Sequence, residues 1–245
     1  MTIIQRPSPN FDARHPDKPV SLLVLHYTGM ESAEAALAQL TNPAAKVSSH
    51  YTIDEDGTVY QHVDEAQRAW HAGRSYWRGE SDVNAISIGI EIVNPGHEFG
   101  YRPFPDAQIA AVIALSNTLI GRYNIPFFGV VGHSDIAPLR KQDPGEKFPW
   151  QHLAKAGVGA WPQMWWRDGG PGFAMGARGW RVREAQRALL RTGYLCPAHG
   201  EMDKATVAVV RAFQRRYRQG RCDGILDGET RGLIYAVAAL AHECA

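Results

Sequence analysis

The sequence predicts an α/β domain, a mixed β-sheet flanked by helices, followed by a small all-α domain of three helices. Three observations lead there. Short apolar runs alternate with longer amphipathic stretches over residues 1–156, which is the pattern of a sheet covered by helices. A glycine- and tryptophan-rich stretch with no sustained period then fills 157–177, as a linker would. Beyond it, a short internal echo feeds helical patterns over 178–245.

The elements follow in order. Val20 to Leu25 reads as a buried strand that ends at His26. A helix is expected from about Ser32 to Leu40, and a hairpin turning at Asp56 and Gly57. AISIGIEIVN is a strand whose alternation puts Ser87, Gly89, Glu91 and Val93 on one face and the isoleucines on the other. The longest helix spans about Asp106 to Tyr123. Phe127 to Val131 is a second apolar strand, and Gly132 lets the backbone turn before His133. In the linker, Trp161, Trp165 and Trp166 are expected to form a contact between domains rather than a binding box. A helix from about Val182 to Thr192 opens the last segment. There Gly200, Asp203 and Thr206 in GEMDKAT reappear as Gly224, Asp227 and Thr230 in GILDGET, each aspartate placed to cap the helix that follows.

Composition narrows the class. Of 245 residues, 44% are hydrophobic and 21% charged, as in ordinary globular chains, and no apolar run approaches the roughly 20 residues a membrane span requires. The N-terminus has prolines and charges where a secretory leader carries an apolar stretch, and no cysteine stands near it for a lipid. A cytoplasmic location is therefore expected, or the periplasm or cell envelope if a leader has been removed. The cysteines are Cys196, Cys222 and Cys244, which form no metal or redox motif; a Cys196–Cys222 bridge is left open. From Gly176 onward twelve lysines and arginines face seven carboxylates, a net of +5, leaving −4 for the remainder of a +1 chain. These arginines are interleaved with apolar helical positions and form no base-reading motif, so no nucleic-acid partner is expected.

The chemistry concentrates at a few positions. His133 and Asp143 stand ten residues apart in GHSDIAPLRKQDPG, Lys141 comes two places before the aspartate, and His26 lies far upstream. Pro138, Pro144 and Gly145 allow that loop to fold Asp143 back toward the strand ends. Two imidazoles and one carboxylate are a set that zinc accepts in catalytic sites, leaving a fourth position for water. Spacing alone is weak, since the chain has ten histidines and most histidines are surface or hydrogen-bonded core residues. Glu91 interrupts a branched apolar run; it either faces outward or serves as a general base tuned by burial.

In family order the chain carries VLHYTG, SSHYTIDEDGTVYQHV, AWHAG, NAISIGIEIVN and GHSDIAPLRKQDPG. Residues 18–156 thereby resemble the zinc-dependent N-acetylmuramoyl-L-alanine amidases of the type-2 superfamily. REAQRALLRTGYL, VVRAFQRRY and CDGILDGET resemble the three-helix peptidoglycan-binding domain. The resemblance implies one zinc ion on His26, His133 and Asp143, Glu91 as catalytic acid/base, and Lys141 as the cation beside the scissile carbonyl. The substrate it implies is a muropeptide, including 1,6-anhydro forms, or peptidoglycan, in cell-wall recycling. A wall-remodelling or phage-type lytic amidase is the alternative, and so is a non-catalytic peptidoglycan sensor. His50, Tyr51, His71 and Asn84 are candidate substrate contacts, with Trp70 and Trp77 as further candidates for the groove wall. Nothing in the sequence assigns an oligomeric state.

Overall fold

The computed structural model describes residues 2–163 and 169–243. In chain order the strands are β1 (Ile3–Gln5), β2 (Phe11–Ala13), β3 (Leu22–Tyr27), β4 (Tyr51–Ile53), β5 (Val59–Gln61), β6 (Gln67–Ala69), β7 (Ser87–Ile92) and β8 (Val130–Gly132). The helices are α1 (Ala33–Thr41), α2 (Asp106–Tyr123), α3 (His133–Ile136), α4 (Trp150–Lys155), α5 (Trp180–Thr192), α6 (Lys204–Tyr217) and α7 (Gly228–Glu243). Six strands form one sheet in the order β1-β5-β4-β7-β3-β8. Every neighbouring pair in it is parallel except the β4–β5 hairpin, so the sheet is mixed as expected. β2 and β6 make a separate antiparallel pair.

The two central strands are apolar because both of their faces are covered. Leu23, Leu25, Ile88, Ile90 and Ile92 point into one core, where Ile109, Val112, Leu115 and Leu119 of α2 meet them. Leu22 and Val24 point to the other side, into a core shared with α5, α6 and α7. Each buried branched side chain of this kind contributes about 1.5–3 kcal/mol, which fixes the register of β3 against β7. α2 runs Asp106–Tyr123, the bounds read from the sequence, and ends where Asn124 takes a left-handed conformation (φ 51°). Ser32 caps α1 by accepting from the Ala35 N–H.

Two strand expectations shift. β3 begins at Leu22 and includes His26, which lies opposite Glu91 in the ladder rather than beyond the strand end. Phe127–Gly129 is a 3₁₀ turn and the strand starts at Val130. Pro126 fixes the entry to that turn, and its carbonyl accepts from the Gly129 N–H at 2.7 Å. Phe127 is therefore exposed instead of packed. Cys196 and Cys222 are free thiols, the first buried, and Cys244 lies outside the described residues.

The helical echo has a fuller physical basis than its aspartates. Asp203 accepts from the Thr206 N–H at 2.7 Å and Asp227 from the Thr230 N–H at 2.9 Å, so both cap as expected. A buried glutamine serves each turn as well. Gln186 accepts from the Gly200 N–H and donates to the Glu201 carbonyl and Thr206 hydroxyl; Gln214 does the same for Gly224, Ile225 and Thr230. Each unit is a helix whose glutamine holds the turn feeding the next helix.

The helical segment docks on the sheet without a gap between cores. Trp161 packs against both apolar clusters and its ring meets Tyr217, as the contact reading of the linker expects; Trp165 and Trp166 lie outside the described residues. At the centre of the interface Asp135 of α3 accepts from the Arg216 guanidinium (2.9 Å), the Tyr194 hydroxyl (2.6 Å) and the Gly132 N–H (2.8 Å). Arg216 also stacks on the Trp150 ring at 4.3 Å. Asp135, Arg216 and Tyr194 are all buried.

Candidate active site

β3 and β8 lie side by side and deliver His26 and His133 to the same end of the sheet, and the 133–143 loop returns Asp143 between them. Three donor atoms converge. His26 Nδ1 is 2.9 Å from His133 Nδ1 and 3.1 Å from Asp143 Oδ2, and His133 Nδ1 is 3.0 Å from the same oxygen. No other group of this kind occurs among the described residues, and all three side chains are buried.

The hydrogen-bond network fixes which ring nitrogens carry protons. Ser87 donates its hydroxyl to the Val83 carbonyl (2.6 Å), so its oxygen accepts from His71 Nε2–H (3.2 Å). His71 Nδ1 is then left to accept from His26 Nε2–H (3.1 Å). On the other side His133 Nε2–H donates to the Ala72 carbonyl (3.1 Å). Both imidazoles therefore turn a bare Nδ1 lone pair toward the Asp143 carboxylate. Three lone pairs facing one another at these distances repel unless a cation lies among them, so the donor set fits a metal ion.

The electrostatics agree. Burial, and then the neighbouring His133, lowers His26 to about 4, and burial holds His71 well below its ordinary value, so both rings are neutral at neutral pH. Burial would raise Asp143, and positive charge among the converging donors, from a protonated imidazole or a bound cation, outweighs it and keeps the carboxyl ionised. Glu91 goes the other way: burial first, then the Asp143 charge, pushes it well above the usual carboxylate range, while Lys141 pulls it down. Its Oε2 is wholly hidden and has no hydrogen-bond partner among the described residues.

Glu91 does share a strand face with Ser87 and Gly89, as the alternation predicts. That face is not solvent, because the AWHAG segment covers it. The His71 ring packs so closely on Gly89 that a Cβ there would come within 2.5 Å of it. Gly89→Ala should displace the ring and release the His26 tautomer, weakening metal affinity by about 10–100-fold; unchanged metal retention in a chelator titration would refute this.

Glu91, Lys141, His71, His133 and Asp143 line one cavity of about 310 Å³, with His26 buried behind His71 and His133. The Lys141 ammonium has no hydrogen bond or ion pair among the described residues and is free to face a substrate. The other candidate contacts lie elsewhere. His50 is buried glue, accepting from the Gly89 N–H and lying 3.1 Å from the Gln67 carbonyl. Tyr51 donates to Glu65 at 2.5 Å on a different surface. Asn84 accepts from the His71 and Ala72 N–H groups, so it holds the segment that orients both ligand histidines. Trp77 is buried against Tyr194 in the interface with the helical segment, and Trp70 donates to Asp12. None of these five lines the cavity.

Comparison with known proteins settles the family. Residues 16–146 match the N-acetylmuramoyl-L-alanine amidase family, and residues 178–234 match the peptidoglycan binding domain family. The chain belongs to the N-acetylmuramoyl-L-alanine amidase family. The amidase is 37% identical over 235 residues to AmiD of Escherichia coli K12, covering 89% of this chain and 82% of that one. It is 37% identical over 164 residues to the 1,6-anhydro-N-acetylmuramyl-L-alanine amidase AmpD of Enterobacter cloacae, covering 60% of this chain and 86% of that one. The solved complex of E. coli AmiD with anhydro-N-acetylmuramic acid-L-Ala-D-γ-Glu-L-Lys superposes with a TM-score of 0.78 at 36% identity, over 91% of this chain and 90% of that one. Among the described residues of the amidase no helix is long and apolar enough to cross a membrane.

Proposed function

We propose that the amidase hydrolyses the bond between the lactyl group of N-acetylmuramic acid, including its 1,6-anhydro form, and the L-alanine of muropeptides, with one zinc ion held by His26, His133 and Asp143. The convergence of three buried donor atoms beside a hidden, high-pKa carboxyl carries this reading. Bound there, zinc would bring water into its reactive range near neutral pH and polarise the amide carbonyl. Glu91 takes a proton from the attacking water and returns it to the departing L-alanine nitrogen, which leaves only when protonated. Lys141 sets its positive charge where the carbonyl oxygen turns anionic. His71, Ser87 and the Ala72 carbonyl hold the ligand imidazoles in the tautomer that binding needs.

The relatives named for 1,6-anhydro substrates support soluble turnover fragments, and with them a recycling role in the cytoplasm. A second reading, polymeric wall in the envelope, is favoured by the match of residues 178–234 to a peptidoglycan binding family. A non-catalytic sensor is disfavoured because it would have no use for Glu91 beside a complete donor set.

Mass spectrometry of products from anhydro-muropeptides and from intact sacculi, with metal content measured on the same sample, separates these readings. Free peptide and anhydro-muramic acid should appear, and a chelator should stop their release. Absence of chelator-sensitive release from either substrate sinks the proposal.

A further inference from the structure

α6 faces the loop that carries Lys141 across a groove of about 610 Å³. Arg140, Lys141 and Gln142 line this groove and the active-site cavity alike, so the two spaces adjoin just before Asp143. Arg215 ties the walls together by donating to Gln142 Oε1 at 2.9 Å. From there Arg211 and Lys204 follow at steps of four and seven residues, which return to one helix face. With Lys141 opposite, four cations offer their charge to the groove, the Arg140 guanidinium at its rim being engaged by the Ala72 and Arg74 carbonyls; among the described residues no carboxylate lines it.

These charges meet no carboxylate directly. Arg178, Arg187, Arg216, Arg218 and Arg221 of the helical segment each meet a carboxylate. None of the four groove cations has an ion-pair partner among the described residues. Glu146 acts on Arg215 from outside the groove, but its oxygens are engaged by His97. Arg211 in turn opposes the charge of Arg215, a repulsion that an anionic ligand would relieve. Exposed Leu139 and Met175 add apolar surface beside the stripe.

We propose that this groove is a subsite for the carboxylates of the distal stem peptide, so that the helical segment grips the same molecule whose amide is cut. The inference rests on the amidase reading and names the part of the substrate that reading leaves unplaced. A γ-linked glutamate keeps its α-carboxylate free, and a stem ends in another, so the peptide presents negative charges along its length. From Arg215 to Lys204 the stripe measures roughly 16 Å at the helical rise, about the span of five extended residues. A muramyl dipeptide is too short to occupy it, whereas a tetra- or pentapeptide stem is long enough.

The test uses the full chain and compares kcat/KM on anhydro-muramyl dipeptide and tetrapeptide. The wild type should prefer the longer stem, and added salt should shrink that preference. Lys204→Glu with Arg211→Glu should lower the tetrapeptide-to-dipeptide ratio by about ten-fold, through KM. Arg191→Glu, an exposed reversal on α5, should leave the ratio unmoved. Should the double reversal misfold, as melting would reveal, Lys204→Gln with Arg211→Gln should give a smaller drop in the same direction. An equal ratio in wild type and the folded groove variants overturns the subsite. Failure of the wild type to cut either substrate overturns the amidase reading instead.

Discussion

His133→Ala is expected to yield a folded chain that no longer retains a stoichiometric metal ion and no longer cleaves muropeptide. One of three converging donor atoms disappears. Loss of an outer partner of a ligand typically costs 10–100-fold in metal affinity, and loss of the ligand itself should cost more. Elemental analysis after dialysis, alongside a melting curve, reads the outcome. Full metal content in the folded variant would mean that the ion, if present, sits elsewhere.

Glu91→Gln should separate chemistry from metal binding. The amide matches the carboxyl in shape but cannot take a proton, so kcat should fall by about 10²–10⁴-fold. Metal content should stay at the wild-type level, because Glu91 is not among the three converging donors. Stability should hold or rise. Oε2 is hidden with no partner among the described residues, and an amide avoids the cost of holding a carboxyl whose ionisation burial opposes. Turnover within ten-fold of wild type would remove Glu91 from the proton path.

How much of this was readable in the sequence depended on where each function is encoded. Strand ends drew attention to His26 and His133, and the family motifs VLHYTG and GHSDIAPLRKQDPG joined Asp143 to them before any coordinates. The Asp106–Tyr123 helix was legible from its period, and the Asp203 and Asp227 caps from their repeat. Strand alternation placed Glu91 on the correct face, but it could not say that AWHAG covers that face. The Ala72 carbonyl that orients His133 leaves no trace in residue type, and Gly89 gave no hint that it was making room for a ring. β1, β2 and β6 are three residues long and largely or partly exposed, too short for any periodicity to accumulate. Asp135 was hidden inside a motif read for its neighbours. His50 and Tyr51 were drawn toward the site by lying in a matched segment, but His50 is engaged by Gly89 behind the His71 ring and Tyr51 by Glu65 at another surface.

The bond between Asp135 and Arg216 makes the two halves of the chain answer to each other. Asp135 follows His133 by two residues, and opening α6 would strand its charge in a dry interior, a loss of about 3–5 kcal/mol for a buried pair. An ion that binds only the native loop therefore stabilises α6 as well. Backbone amides in α6, remote from the metal ligands in sequence, should exchange with deuterium more slowly when the ion is loaded.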